Sequence, residues 1–250
     1  MRVGLFVPCF VDQLFPRAAH ATVAVLERHG VEVEFPTEQT CCGQPMANAG
    51  AWDEARPLAE RFLEVFGPYD HVIAPSASCV AMVRHHYHDL LAERSPVAAR
   101  TRELCEFLVD VLGVRRVDGA FPHRVALHPG CHGLRELRLG PSSERVGAAG
   151  PREDKVRVLL GSLDGVTLVD PERTDECCGF GGMFSTEEEA VSVRMGRDRL
   201  ADFAAAGAEV VTATDPSCLM HLSGISRRAD DGLRFHHVAE LLAGGEFVTS

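Results

Sequence analysis

Nine cysteines occur in this chain of 250 residues, and eight of them fall into two sets with the same order. The first set is Cys9, then Cys41-Cys42-Gly43, then Ser78-Cys79; the second is Cys131, then Cys177-Cys178-Gly179, then Ser217-Cys218. Four thiols brought together make a candidate metal or redox site, because the thiolate is a soft metal ligand and the reactive form of cysteine. Zinc takes four ligands around one ion, but its structural sites draw them from Cys-x-x-Cys knuckles, which this sequence lacks. Two adjacent residues also make a cramped chelate on a single ion. An iron–sulfur cluster removes that difficulty, since neighbouring thiolates can bind different irons. The glycine after each pair lets the backbone pass close to an inorganic core. Buried inert thiols and a zinc-stabilised interaction module are the competing readings.

Two histidines, His128 and His132, flank Cys131 in the run His-Pro-Gly-Cys-His. They are the candidate catalytic residues, either tuning a cluster by hydrogen bonding or moving a proton for a bound substrate. The plainer reading is that they bond backbone groups. No Cys-x-x-Cys-His run exists, which excludes covalent haem attachment. Gly179 to Gly182 lacks the Lys-Ser/Thr of a phosphate loop and reads as close packing around the site. Cys105, with Leu104, Leu108 and Leu112 nearby, has no counterpart in the other half and reads as core.

The elements that must position these residues alternate between strand and helix. Strands are expected at Arg2–Phe6, Glu32–Phe35 and His71–Ala74, with helices over 17–29, 52–66 and from Cys79 onward. The order restarts with strands at Val125–His128, Val166–Val169 and Glu209–Ala213, and helices over 152–160, 186–206 and from Cys218. Such alternation implies parallel strands with helical crossovers. Each cysteine element follows a predicted strand, and in open parallel sheets those loops converge on one crevice. The fold class is therefore α/β, with two similar lobes from an internal duplication, each a mainly parallel sheet flanked by helices. Residues 1–97 form the first cysteine-rich lobe, 98–122 a bridging helix and linker, and 123–250 the second lobe. His85, His86, His88, His236 and His237 are expected on helix surfaces.

With 25 basic against 36 acidic side chains the formal charge is −11, so nucleic acid and anionic membrane are disfavoured as partners. No stretch approaches the roughly 20 apolar residues of a membrane span, and the N-terminus lacks the pattern of a signal peptide. The expected location is cytoplasmic, where thiols stay reduced and a cysteine-rich chain implies metal or redox chemistry rather than disulfides.

The runs TCCGQPMANAG, PSASCVAMVR, HPGCH and ECCGFGGMFS resemble, across the whole chain, the lactate-utilisation protein A family. This family is related through its twofold CCG cysteine-rich domain to the cysteine-rich chain of heterodisulfide reductase and to the iron–sulfur chain of glycolate oxidase. The resemblance implies an iron–sulfur electron-transfer subunit of a cytosolic system that oxidises L-lactate to pyruvate. It implies one 4Fe-4S-type cluster per lobe, held by the two cysteine quartets. The implied partners are a ferredoxin-domain iron–sulfur subunit and a third small subunit. In the wider family the motif ends in Cys-x-x-Cys, giving a fifth cysteine per site; here those positions are Ser76 and Asp215. Either can offer an oxygen ligand or bond backbone amides in a turn. That departure leaves open both the cluster type and the alternative of a reductase-like enzyme acting on a thiol or disulfide.

Overall fold

The computed structural model describes residues 1–143 and 153–244. In chain order the first half contains β1 (Arg2–Leu5), α1 (Cys9–Leu14), α2 (Pro16–Arg28), β2 (Glu32–Glu34), α3 (Gln44–Asn48), α4 (Trp52–Phe66) and β3 (His71–Ala74). It continues with α5 (Ala77–Ala81), a π-helical turn over Met82–His86, α6 (Tyr87–Leu91), α7 (Pro96–Ala99), β4 (Thr101–Glu103), α8 (Leu104–Glu106) and a second π turn over Phe107–Val111. The second half contains β5 (Arg124–His128), a π turn over His132–Glu136, α9 (Lys155–Leu160), β6 (Thr167–Val169), α10 (Phe184–Glu187) and α11 (Glu189–Ala205). It closes with β7 (Val210–Ala213), α12 (Pro216–Ala229), β8 (Arg234–His237) and α13 (Val238–Ala243).

Each half builds a four-stranded sheet, ordered β2-β1-β3-β4 in one and β6-β5-β7-β8 in the other. Every pairing is parallel, so helices must cover the connections. The chain leaves β1 toward β2, then returns to place β3 on the other side of β1. That reversal is repeated at β5, and it opens a crevice beyond the strand ends, between the loops that follow the central pair. In the first lobe the apolar stripe of α4, with Ala55, Ala59, Phe62 and Phe66 buried, seals one face of the sheet. Phe6 meets Phe62 edge-on at 5.0 Å and Phe66 at 5.6 Å, fixing that helix against the end of β1.

The contacts between the lobes are reciprocal. Helix α13, which follows the last strand of the second sheet, packs on α2 of the first lobe. Helix α8, which follows the last strand of the first sheet, packs on α9 of the second. Likewise α5 packs against the turn after Cys131, and α12 against α1, which begins at Cys9. The cysteine-bearing ends of the two lobes therefore face one another.

Some expected elements differ. The helix expected to open at residue 98 is interrupted by β4, so the first sheet extends into the segment read as a bridge. Thr101 and Glu103 are fully buried on one side of this strand, and the free edge of β3 supplies its pairing despite a polar sequence. His236 and His237 lie in β8 rather than on a helix surface, and His237 is fully buried. The helix expected over 186–206 divides at Glu188, where the backbone turns to φ −120° and ψ 47°. Arg152, where another helix was expected to start, lies outside the described residues; α9 starts at Lys155. Cys105 is fully buried in the core, as expected. Among the described residues no helix is long and apolar enough to cross a membrane.

Candidate metal-binding site

Cys9 opens the helix after β1, Cys41 and Cys42 sit in the loop after β2, and Cys79 lies in the first turn of the helix after β3. The second lobe repeats this with Cys131 after β5, Cys177 and Cys178 after β6, and Cys218 after β7. All eight line one cavity of about 590 Å³ between the lobes. Its walls add Phe10 and Phe180, which meet edge-on at 6.0 Å across the lobe boundary, and the polar groups of Gln44, Asn48 and His132. The two quartets are thus two halves of one site region.

Within each quartet the sulfurs are close enough to hydrogen-bond. Cys9 Sγ is 3.8 Å from Cys41 Sγ. The Gly43 amide donates to Cys41 Sγ at 3.4 Å, and the Gly179 amide donates to Cys177 Sγ at 3.3 Å. The Phe180 amide adds a donor to Cys178 Sγ at 3.5 Å. These amides are aimed at sulfur because both glycines take left-handed backbone, φ 83° at Gly43 and 90° at Gly179. A Cβ at Gly179 would stand 2.6 Å from the Ser192 carbonyl oxygen, so that turn tolerates no side chain. The glycine's first use is therefore to form the loop that points N–H at the thiolate. The Cys42 carbonyl is fixed in turn by the buried Tyr87 hydroxyl, which donates to it at 3.1 Å.

The electrostatics match in the two lobes. Hydrogen bonds from Cys42 and then Cys9 hold the Cys41 thiol down to about 3, while those same contacts push Cys9 and Cys42 upward. In the second lobe Cys131 and then Cys178 hold Cys177 down to about 2, and Cys131 and Cys178 are pushed up. Each quartet thus favours a negative charge on the first cysteine of its pair, which is the form that binds metal.

The positions given to a fifth cysteine in the wider family are joined to each other instead. Asp215 Oδ1 accepts hydrogen bonds from the Ser78 amide at 3.1 Å, the Ser78 hydroxyl at 2.6 Å and the Ser76 hydroxyl at 3.4 Å. The Ala77 amide donates to the Thr214 carbonyl at 3.1 Å, extending this seam between the lobes. Asp215 therefore bonds an amide, as a turn residue does, but the amide belongs to the opposite lobe.

The two histidines separate. His132 lines the cavity, with its Nε2 3.2 Å from Gln44 Nε2 and 3.6 Å from Glu136 Oε1. His128 does not line it; it is 1% exposed at the end of β5, behind the sulfurs, with neither ring nitrogen hydrogen-bonded. Burial, and then the Arg199 guanidinium, push its pKa down to about 3, so the ring is neutral. A ring nitrogen of His128 and the sulfurs of Cys178 and Cys218 all lie within 4.8 Å of one another. The donor set as a whole fits an iron–sulfur group: eight thiols in two sets, paired neighbours, amides aimed at sulfur, and a buried nitrogen that lacks a partner.

Comparison with known proteins agrees with this duplication. The model of the CCG cysteine-rich domain matches twice, over residues 3–84 and 125–223. Lactate utilization protein A of Exiguobacterium sp. (strain ATCC BAA-1283 / AT1b) is 40% identical over 97% of each chain. The protein of the same name from Halalkalibacterium halodurans is 35% identical over 97% of this chain and 96% of its own. Lactate utilization protein A 2 of Bacillus cereus (strain Q1) is 32% identical over 98% of this chain and 99% of its own.

Proposed function

This chain belongs to the lactate utilization protein A family, with its CCG cysteine-rich domain present twice, and from that premise we propose that it is an iron–sulfur electron-transfer subunit of a cytoplasmic system oxidising L-lactate to pyruvate. The observation that supports this most directly is the pair of matching thiol quartets on one cavity. Cys9, Cys41, Cys42 and Cys79 would hold one 4Fe-4S-type group, and Cys131, Cys177, Cys178 and Cys218 the other. Bound there, such a group supplies one-electron carriage. The chain's own residues hold thiolates ready through the Gly43 and Gly179 amides. They also bury Cys42 and Cys178 away from water, and the lobe seam fixes the spacing of the two sites. The working partners would be a ferredoxin-domain iron–sulfur subunit and a third small subunit.

The test is to co-express the three subunits, purify them anaerobically and add L-lactate while recording electron paramagnetic resonance. The proposal expects signals assigned to this subunit to respond to lactate in the complex, and lactate oxidation to fall at least tenfold with Cys42→Ser or Cys178→Ser. Lactate oxidation at the wild-type rate with both cysteines changed would overturn it. The shared cavity also favours a second reading, in which this subunit itself acts on a thiol or disulfide with His132 moving the proton. That reading expects the spectrum of the isolated subunit to change when such a compound is added.

A further inference from the structure

The duplication supplies an internal comparison three residues before the first cysteine of each set. In the first lobe that residue is Phe6, fully buried against Phe62 and Phe66, an apolar ring that needs no polar partner. In the second lobe it is His128, equally buried, with two ring nitrogens that make no hydrogen bond. An unsatisfied polar atom at such a depth keeps the full cost of its lost hydration, so an imidazole without partners is a poor replacement for phenylalanine. Its surroundings offer little relief. The Phe203 ring lies edge-on at 6.3 Å, and Arg199 donates to the carbonyls of Arg173 and Thr174 and to Asp202 through its Nη atoms, while its Nε, though unpaired, makes no hydrogen bond to the imidazole. What remains within reach is the pair Cys178 and Cys218, whose sulfurs and a His128 ring nitrogen lie within 4.8 Å of one another. Thiols are weak hydrogen-bond partners, whereas imidazole and thiolate are a familiar joint ligand set for iron.

We propose that His128 is a fifth protein ligand of the second site, bonding iron through one ring nitrogen. The two halves of the chain would then carry different ligand sets: thiolates alone in the first lobe, thiolates with imidazole in the second. The two centres would then differ by one neutral donor at equal thiolate count, an asymmetry built into the chain's own duplication. The inference rests on the reading that the second quartet holds an iron–sulfur group.

The test uses the full chain, prepared anaerobically, with Cys41→Ser and Cys42→Ser to empty the first site. Pulsed electron paramagnetic resonance is then recorded on the paramagnetic state of the second centre, with and without ¹⁵N-labelled histidine. The expected result is a strong nitrogen coupling that changes with the label and is lost in His128→Phe, the residue of the other lobe, and in His128→Gln. His132→Asn and His221→Asn should leave it unchanged, which assigns the nitrogen even if the His128 variants lose iron. Iron and sulfide at full content without a strong histidine coupling would overturn the ligation and leave the cluster reading standing. A coupling that persists in either His128 variant would do the same. Absence of iron and sulfide from the wild-type chain would instead overturn the cluster reading, and the ligation with it.

Discussion

Asp215 is 1% exposed, and one of its oxygens gathers three donors from Ser76 and Ser78 on the opposite lobe. Replacing it with alanine leaves a buried amide and two hydroxyls without their acceptor. Asp215→Ala should therefore lower stability by about 3 kcal/mol, and Asp215→Asn, which keeps an acceptor oxygen, by less. Urea unfolding measures both; an Asp215→Ala midpoint equal to wild type would contradict the assignment of this seam. The same residues mark where sequence reading stops. The cysteines were legible as one candidate set because their type and order repeat, and the structure brings all eight to one cavity. The bond from Ser78 to Asp215 was not, because it joins residues 137 apart and depends on how the lobes dock. His128 was legible as a residue of interest, but its lost hydrogen bonds follow from burial beside Arg199 and Phe203, which no local pattern reports.

At the scale of elements, the short edge strands β4 and β8 were the ones not read from sequence. Their residues, Thr-Arg-Glu and Arg-Phe-His-His, lack the apolar run that marked the central strands, and they become strands because β3 and β7 offer them an edge. Their last residues occupy equivalent places and carry opposite chemistry. Glu103 Oε2 caps α8, accepting from the Cys105 and Glu106 amides, while His237 Nδ1 caps α13, accepting from the Ala239 amide. Burial raises Glu103 from 4.5 to about 8 and lowers His237 from 6.5 to about 4. For His237 the unfolded chain takes up the proton first, so its stability is present above pH 6.5 and lost as pH falls through about 4. For Glu103 the unfolded chain releases the proton first, so its stability is present below pH 4.5 and lost as pH rises through about 8. The two slopes oppose each other between about pH 4.5 and 6.5, and of these two groups only Glu103 acts above that, its own contribution falling by about 2 kcal/mol by pH 8. Urea midpoints of the wild type should fall relative to those of Glu103→Gln as pH rises from 6.5 to 8; a difference that stays constant over that range would refute the assignment.

For the whole molecule, duplication was visible in the order of the cysteine elements, and it carries the fold class with it. What it did not reveal is that the copies exchange helices, α13 onto α2 and α8 onto α9, and so turn both sites onto one cavity. Periodicity reports which face of an element is buried, but not which lobe buries it. The consequence is that the two quartets are fixed relative to each other by the core itself, as the proposed carriage of electrons across a lobe boundary would require. The most direct test is iron, acid-labile sulfide and zinc analysis of anaerobically purified protein, alongside the Cys42→Ser and Cys178→Ser variants. The account predicts about four irons and four sulfides per site, with each variant losing one site's share and keeping the other's. Stoichiometric zinc in place of iron, or no metal after anaerobic reconstitution, would contradict it.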